Sequence, residues 1–401
     1  MNRGPDRLMR LGETIGAAVR ESFARSPGRR EDFTDCAEQV LSTTPEVAEI
    51  QPRKVLELLA SQGSSGIAPM QFQSRFSDLQ LMLHVEDDFI VQLLFWTNAT
   101  TSVHDHFFAG AFRVVEGSSL HCNYAFEREG GTQGFGWGRL ALREAELLAA
   151  GDVRRVCFGP STIHSVFHLE IPSVSLLVAS SLVRPGERQL EYSGGRLAID
   201  MAKTDHFLTK RIQALKILAT SGPLMPHLEG FLGGADAQIL HSALVALDPE
   251  IARLDPIAQA RVEEVVLGHP QGGAVLGAIR AEKIVSRLMQ MRRRIQDPLA
   301  RFLLAMIINV PEPERWPELV ARRLGAGAPA AIRPALATLF GDQFWTLVGS
   351  ERDVETFAAS LGDYLTGGGT PERLRHSPLA PYVFPLAPAP LATEPKAVGT
   401  A

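Results

Sequence analysis

The middle of the chain consists of short apolar runs, and turn residues separate one run from the next. Between residues 70 and 192, Gly, Asn, Asp and Pro divide segments such as LQLMLHV, FIVQLLFW, SLHCNYAFE and SVSLLVASSLV. Short runs that are apolar or alternate between apolar and polar residues, bounded by turn residues, are typical of strands. They predict an antiparallel sandwich or barrel at the centre of the chain.

The segments on either side of this centre have helical periodicity. Apolar residues recur at three- and four-residue spacing in the N-terminal segment, and the stretch SQGSSGIAP follows as a linker. Towards the C-terminus, segments such as FLTKRIQALKILAT and PLARFLLAMIINV predict roughly seven helices. The predicted fold class is therefore α+β, with an N-terminal helical segment at 1–65, an antiparallel β-barrel at 66–195, an all-α domain at 196–375 and a disordered tail rich in Pro and Ala at 376–401.

Composition is that of a folded protein with more than one domain. Of the 401 residues, 45% are hydrophobic and 21% are charged, and the net charge of -5 provides no basic field to attract nucleic acid. Three cysteines are too few for a disulfide framework, which favours a reducing compartment. Because no apolar stretch approaches the roughly 20 residues of a membrane span, we expect a cytoplasmic protein without a membrane partner.

The segment SVHDHFFAGAFRVVEG carries the clearest chemical signal. Side chains two residues apart on a strand share a face, so His104 and His106 can project together into a barrel while Asp105 points the other way. A third ligand must come from another strand, and His164 follows a Gly-Pro turn further along the chain. Three neutral imidazoles leave coordination positions open for water, oxygen or substrate. We therefore predict one metal ion at these three histidines.

Two other histidines lie near this pattern. His168 follows His164 by four residues and shares its face on a regular strand, where we interpret it as a residue that supports the ligands rather than as a ligand. His121 stands in SLHCNYAFE, where the alternate residues Leu120, Cys122 and their successors are apolar. His121 is therefore predicted to face outward from the barrel.

Both histidine segments resemble the motifs of the cupin superfamily, G-x5-H-x-H-x3,4-E-x6-G and G-x5-P-x-G-x2-H-x3-N. The first motif matches at His104, His106 and Gly117, but Gly110 stands where its glutamate would be. The second motif matches loosely around His164. The resemblance implies a cupin-type jelly-roll barrel that holds one metal ion.

Within that superfamily, three histidines without the glutamate resemble the thiol dioxygenases of the cysteine dioxygenase type. The segment FWTNATTSVHDH is similar to a strand, turn and histidine pair of that family, and SVSLLV is similar to a later strand. The resemblance covers roughly residues 70–182. It implies an arginine that binds a substrate carboxylate, and Arg75 is the matching residue.

The chain also departs from that family. Its Ser-His-Tyr set falls on Ser175, Leu177 and Ala179, so that only the serine is kept. The tyrosine that helps to handle oxygen would have to be replaced, and we assign this catalytic role to Tyr124 or His168.

These expectations combine into one function. We predict a mononuclear non-haem iron(II) dioxygenase that oxidises a small thiol or amino-acid-like substrate with O2. Iron(II) is the expected cofactor, and Ni, Mn and Zn are the other candidates. Trp96 and Phe108 are expected to line the substrate pocket, although aromatic residues at strand spacing more often belong to a plain barrel core.

Two alternatives stay open at this point. One keeps the metal in a cupin with chemistry other than oxygenation. The other is a ligand-sensing or scaffold protein whose helical domain binds a protein partner or a second copy of itself. The basic run Arg292–Arg294 at a helix end would suit such a partner, but we interpret it as a solvated face near a negative helix terminus.

Overall fold

The protein is a β-structure at the centre of the chain with helices packed on two sides of it. A computed structural model describes residues 4–25, 30–62, 71, 76–98, 101–181, 187–200, 205–325, 328–341 and 351–386. Arg75 lies outside these residues. No helix in the described parts of the chain is both long enough and apolar enough to span a membrane.

The strands form two antiparallel sheets. Their bounds are β1 (Leu79–Val85), β2 (Phe89–Trp96), β3 (His104–His106), β4 (Gly110–Glu116), β5 (Ser118–Thr132), β6 (Phe135–Ala149), β7 (Val153–Val156), β8 (Gly159–His168), β9 (Ser173–Ser180), β10 (Leu190–Ser193) and β11 (Leu197–Asp200). Five strands pair in the order β1-β2-β9-β4-β7, and six form a closed barrel in the order β10-β11-β6-β5-β8-β3.

Helices precede and follow the strands. The N-terminal helices are α1 (Gly4–Ala24), α2 (Arg30–Thr43), α3 (Pro45–Ala48) and α4 (Pro52–Gln62). The later helices are α5 (His206–Ser221), α6 (Met225–Gly233), α7 (Ala237–Ala246), α8 (Asp248–Ile251), α9 (Pro256–Leu267), α10 (Gly272–Arg292), α11 (Pro298–Asn309), α12 (Trp316–Leu324), α13 (Ala328–Leu339), α14 (Glu351–Leu365), α15 (Pro371–Arg375) and α16 (Ala380–Val383), with a 3-10 turn at Pro313–Arg315. The prediction of an antiparallel barrel with helices before and after it in the sequence is confirmed.

The N-terminal helices cover the five-stranded sheet. Ile15 of α1 and Phe33 of α2 are completely buried and belong to one apolar cluster with Leu93 and Val178 of the sheet. The guanidinium of Arg113 on β4 also donates to the carbonyl of Leu41 over 2.7 Å. This side of the sheet is therefore closed to water.

The C-terminal helices share one core with the barrel. Leu120 on β5 and Phe167 on β8 lie in the same buried cluster as Phe302 and Leu304 of α11. Strand β8 from Thr162 onwards and the first half of β5, Ser118–Cys122, are buried on both faces, one towards the metal side and one towards the helices. This part of the outer surface of the barrel therefore lies inside the molecule.

Three details of the domain prediction differ from the structure. Strand β6 was not predicted, because its sequence LREAELLA is rich in helix formers, yet it pairs with β5 along almost its whole length. Strand β11 lies beyond the predicted boundary at residue 195 and helps to close the barrel. The predicted tail begins too early, since Leu379 and Val383 are fully buried, while residues 387–401 lie outside the described residues.

Candidate metal centre

Three histidines meet inside the protein. His104 and His106 occupy the two ends of the short strand β3, and His104 lies opposite His164 of the neighbouring strand β8. The Nε2 atoms of His106 and His164 are 2.8 Å apart, and one ring nitrogen from each of the three histidines lies within 4.8 Å of the others. All three side chains are buried. The structure therefore brings together the predicted ligand set.

Asp105 holds the strand between the two histidines in place. Its carboxylate faces away from them, accepts the backbone N–H of Leu190 at 2.6 Å and accepts the hydroxyl of Tyr192 at 3.0 Å. Burial raises the pKa of this carboxyl, and the two donors oppose that rise. The alternation predicted for the H-x-H pair is present, and Asp105 fixes β3 to β10.

The ring nitrogens suit a divalent metal. The Nδ1–H of His104 donates to the carbonyl of Ser102 at 2.8 Å, which leaves Nε2 as a lone pair, and this buried atom has no hydrogen-bond partner among the described residues. Burial lowers the pKa of His104, and lowers the pKa of His106 and His164 further. Metal binding requires such neutral rings. With metal–nitrogen bonds of about 2.0–2.1 Å, adjacent ligand nitrogens lie roughly 3 Å apart, close to the His106–His164 separation.

His121 belongs to this site, contrary to the prediction that it faces outward. Its Nε2 atom lies 2.9 Å from Nδ1 of His164, and its Nδ1 atom lies 2.9 Å from a carboxylate oxygen of Glu146. Arg154 in turn binds both carboxylate oxygens of Glu146 at 2.7 and 2.5 Å. The prediction failed because it assumed that the apolar alternate residues of β5 faced the interior. They face the C-terminal helices instead.

Two of the three histidines, His106 and His164, line a small and mostly apolar cavity. Its volume is about 40 Å³, enough for a few water-sized atoms. Trp96 and Phe108, both predicted to line a substrate pocket, are in its wall, and the Phe108 ring centre is 4.7 Å from that of His106. The lining residues are Phe76, Leu94, Trp96, Thr101, His106, Phe108, Phe112, Val156, His164, Val166, His168, Ser175 and Leu177.

His168 lies in the same wall but is not part of the three-histidine cluster. Its ring stacks on Trp96 with centres 4.5 Å apart, and its Nδ1 atom lies 3.0 Å from the hydroxyl of Ser119. Nε2 is buried and has no hydrogen-bond partner in the described part of the chain. Burial, with repulsion from Arg292, lowers the pKa of His168 to about 3. His168 is therefore a neutral hydrogen-bonding group with one nitrogen available.

Arg292 supports this end of the cavity from outside. It is completely buried, and its guanidinium donates to the carbonyls of His168 at 2.9 Å, Thr97 at 3.1 Å and Asn98 at 3.2 Å. Burial lowers its pKa to about 10. The interpretation of the Arg292–Arg294 run as a solvated face is thus wrong for its first member, which ties α10 to the barrel.

Tyr124 lies on the other side of the barrel wall. Its hydroxyl donates to the carbonyl of Asn309 on α11 at 2.7 Å, and the ring belongs to the core shared with the helices. Tyr124 does not line the cavity, so its predicted catalytic role is not supported by its position. Ser175 does line it and accepts the indole N–H of Trp96 at 3.2 Å.

Gly110, which stands where the cupin motif has a glutamate, has no room for any side chain. A Cβ atom at this position would lie 2.0 Å from the carbonyl oxygen of Val178 on β9. The pairing of β4 with β9 therefore depends on glycine here, and a fourth ligand from this position is sterically excluded.

Comparison with known proteins adds little to this geometry. No family model and no curated protein matches the chain. Among solved structures the chain is similar to DMSP lyase DddQ from Ruegeria pomeroyi DSS-3, with 12% identity over 44% of this chain and 94% of that one, and a TM-score of 0.24. A likeness at this level says nothing of the reaction, so the functional argument rests on the site itself.

Proposed function

We propose that this chain is a cupin-type, mononuclear non-haem iron(II) dioxygenase that oxidises a small thiol or amino-acid-like substrate with O2. The observation that carries the proposal is the convergence of three buried, neutral imidazoles on one point beside a small apolar cavity. Three neutral nitrogen ligands leave positions open and suit a redox-active ion such as iron(II), while Ni, Mn and Zn remain candidates for the same ligands.

His104, His106 and His164 would hold the metal. Iron(II) in this site would supply the electrons with which oxygen is activated for transfer to the substrate. The protein contributes the surroundings: Phe108 and Phe112 supply apolar walls that would limit the water next to the metal, and the Ser102 carbonyl keeps His104 in the tautomer whose Nε2 is free. Exclusion of water strengthens polar interactions inside the site.

The cavity also limits the substrate. A volume of about 40 Å³ and a wall of mostly apolar side chains favour a small molecule with a compact reacting end. The free Nε2 of His168 is positioned to exchange a hydrogen bond or a proton with that molecule. We assign to His168, rather than to Tyr124, the role of the missing tyrosine in handling oxygen. Arg75 remains the proposed carboxylate-binding residue, and it precedes Phe76 of the cavity wall.

A second candidate is a metal-binding ligand sensor or scaffold. The observation that favours it is the single core shared by the barrel and the C-terminal helices. Through this core, a structural change on ligand binding in the barrel would be transmitted to the surface of the helices. A metal-dependent reaction without oxygen is the third candidate for the same three ligands.

Oxygen uptake separates these candidates. Protein loaded anaerobically with Fe(II) should consume oxygen when a small thiol such as cysteine or 3-mercaptopropionate is added, and His164→Ala protein should lose both the metal and the uptake. His376→Ala, an exposed histidine in the helical region, is the matched control. Zinc as the resident metal, with no uptake for any thiol or amino acid after iron loading, would overturn the dioxygenase in favour of the other two candidates.

A further inference from the structure

A second and larger opening lies between the barrel and the helices, which we call the interface groove. It has a volume of about 480 Å³ and is bounded by β8, β10 and the segment before β3 on one side and by α10 and α11 on the other. Pockets that hold small organic molecules usually measure about 300–1,000 Å³ and often lie where two structural units meet. The groove meets both criteria, whereas the cavity at the histidines is far smaller.

One face of α10 forms the floor of the groove. Glu282, Val285, Ser286, Met289 and Arg293 all line it, and their spacing of three and four residues places them in one stripe. Because a helix rises 1.5 Å per residue, Glu282 and Arg293 are separated by about 16 Å along the axis. The carboxylate and the guanidinium therefore mark opposite ends of the groove.

The carboxylate end has two acidic groups. Glu191 of β10 lines the groove together with Glu282, and the negative charge of Glu282 disfavours ionisation of Glu191. The hydroxyl of Ser102 is the hydrogen-bond donor to Glu191, and no described residue forms an ion pair with Glu191. The imidazole of His241 lies 3.9 Å from Glu282 and acts electrostatically on both carboxyl groups. Burial raises the pKa of this carboxyl. A half-buried carboxylate without a cation is costly, and a bound ammonium group would offset that cost.

Between the two ends the groove is largely apolar. Val103 and Phe167 come from the barrel, and Val285, Met289 and Ile308 come from the helices. Such a wall suits a hydrocarbon or aromatic body, and an aromatic ring next to an ammonium group adds a cation–π attraction.

We propose that the interface groove binds a small molecule with a primary ammonium group on an apolar body, the ammonium held by Glu191 and Glu282. This site contains none of the three clustered histidines, and its occupancy does not depend on the reaction of the metal centre. It is a ligand site in addition to the proposed oxygenase.

The test uses three matched probes on the full chain in calorimetric titrations. 2-Phenylethylamine should bind saturably, 2-phenylethanol should bind at least tenfold more weakly, and 3-phenylpropanoate should not compete. A charge-assisted hydrogen bond contributes about 1.5–3 kcal/mol, which corresponds to a tenfold or larger change in Kd. Equal affinity for amine and alcohol, or tighter binding of the carboxylate through Arg293, would overturn the proposal.

Variants locate the binding. Glu191→Gln should weaken 2-phenylethylamine at least tenfold, and Glu282→Gln should weaken it less because 39% of that side chain is exposed. Glu264→Gln, an exposed carboxylate of α9, is the control and should leave Kd unchanged. If Glu191→Gln does not fold, Ser286→Trp, which fills the groove from an exposed position, should abolish binding instead. The amine should still bind to His164→Ala protein, so failure of the metal site and failure of the groove are distinguishable.

Discussion

Nδ1 of His164 lies 2.9 Å from Nε2 of His121, which links a proposed metal ligand to Glu146 through a second imidazole. If His164 held a metal through Nε2, its Nδ1 would carry the proton and donate to His121. His121 would then donate to the carboxylate, which Arg154 holds in place. Hydrogen bonds of this kind fix the orientation of a ligand ring and raise its basicity.

We expect His121→Gln and Glu146→Gln to weaken metal binding about 10- to 100-fold, because loss of such outer partners typically has an effect of this size. Competition for Ni(II) or Zn(II) with a chromogenic chelator measures the change. Glu144→Gln, an exposed carboxylate on the same strand, is the control and should bind metal normally. Unchanged affinity in both variants would show that the His121 contact is packing alone.

His168 makes stability depend on pH. Its pKa of about 3 lies well below the value of about 6.5 in an unfolded chain, so the unfolded state binds more protons between these values. The contribution of His168 is therefore complete above about pH 6.5 and is lost as the pH falls towards 3. Between pH 7 and 5 the free energy of unfolding should fall by about 2 kcal/mol from this residue.

Urea unfolding of metal-free protein at the two pH values tests this expectation. His168→Gln should reduce the loss between pH 7 and 5 by about 2 kcal/mol, whereas His376→Gln should leave it as in the unsubstituted protein. An identical pH dependence with and without His168 would contradict the assignment.

Arg292 should resist even a conservative replacement. Arg292→Lys keeps the charge, but a single ammonium cannot reach the carbonyls of Thr97, Asn98 and His168 in the way the planar guanidinium does. We expect the free energy of unfolding to fall by about 2 kcal/mol, because buried carbonyls lose their donors. Arg293→Lys, its exposed neighbour, should change it by less than about 0.5 kcal/mol in the same urea titration.

Gly110 should tolerate no side chain. We expect Gly110→Ala to destabilise the protein by about 1–3 kcal/mol, since its Cβ would collide with the Val178 carbonyl. Gly222→Ala, where an added Cβ meets no atom within 4 Å, is the control for thermal unfolding. Gly110→Glu should lower stability further and should add no fourth ligand. A stable Gly110→Glu protein with higher metal affinity would refute this.

Much of the barrel could be predicted because its signals are local. The runs LQLMLHV and FIVQLLFW coincide with β1 (Leu79–Val85) and β2 (Phe89–Trp96), since charged or polar turn residues bound each apolar run. The pair His104 and His106 followed from the two-residue period of a strand. Strand β6 could not be found in this way, because only its pairing with β5 overrides a helix-forming composition.

The supporting residues of the site depend on distant contacts. The face of β5 that carries His121 could be assigned only by knowing that α11, far along the chain, covers the opposite face. Arg292 likewise looked solvated because the carbonyls that it binds precede it by more than a hundred residues. A single sequence shows which residues alternate along a strand. It does not show which of two buried faces carries the residues of the metal site.

The two-sided burial of β8 has a consequence for how the chain finds its register. His164, Val166 and His168 point to the metal side, and Ile163, Ser165 and Phe167 point to the helices. A slip by one residue would exchange these sets, placing imidazoles in the apolar helical core and a phenyl ring among the metal ligands. A shifted register is therefore unfavourable on both faces of β8. Packing against the helices thus helps to fix the register of the strand that carries His164.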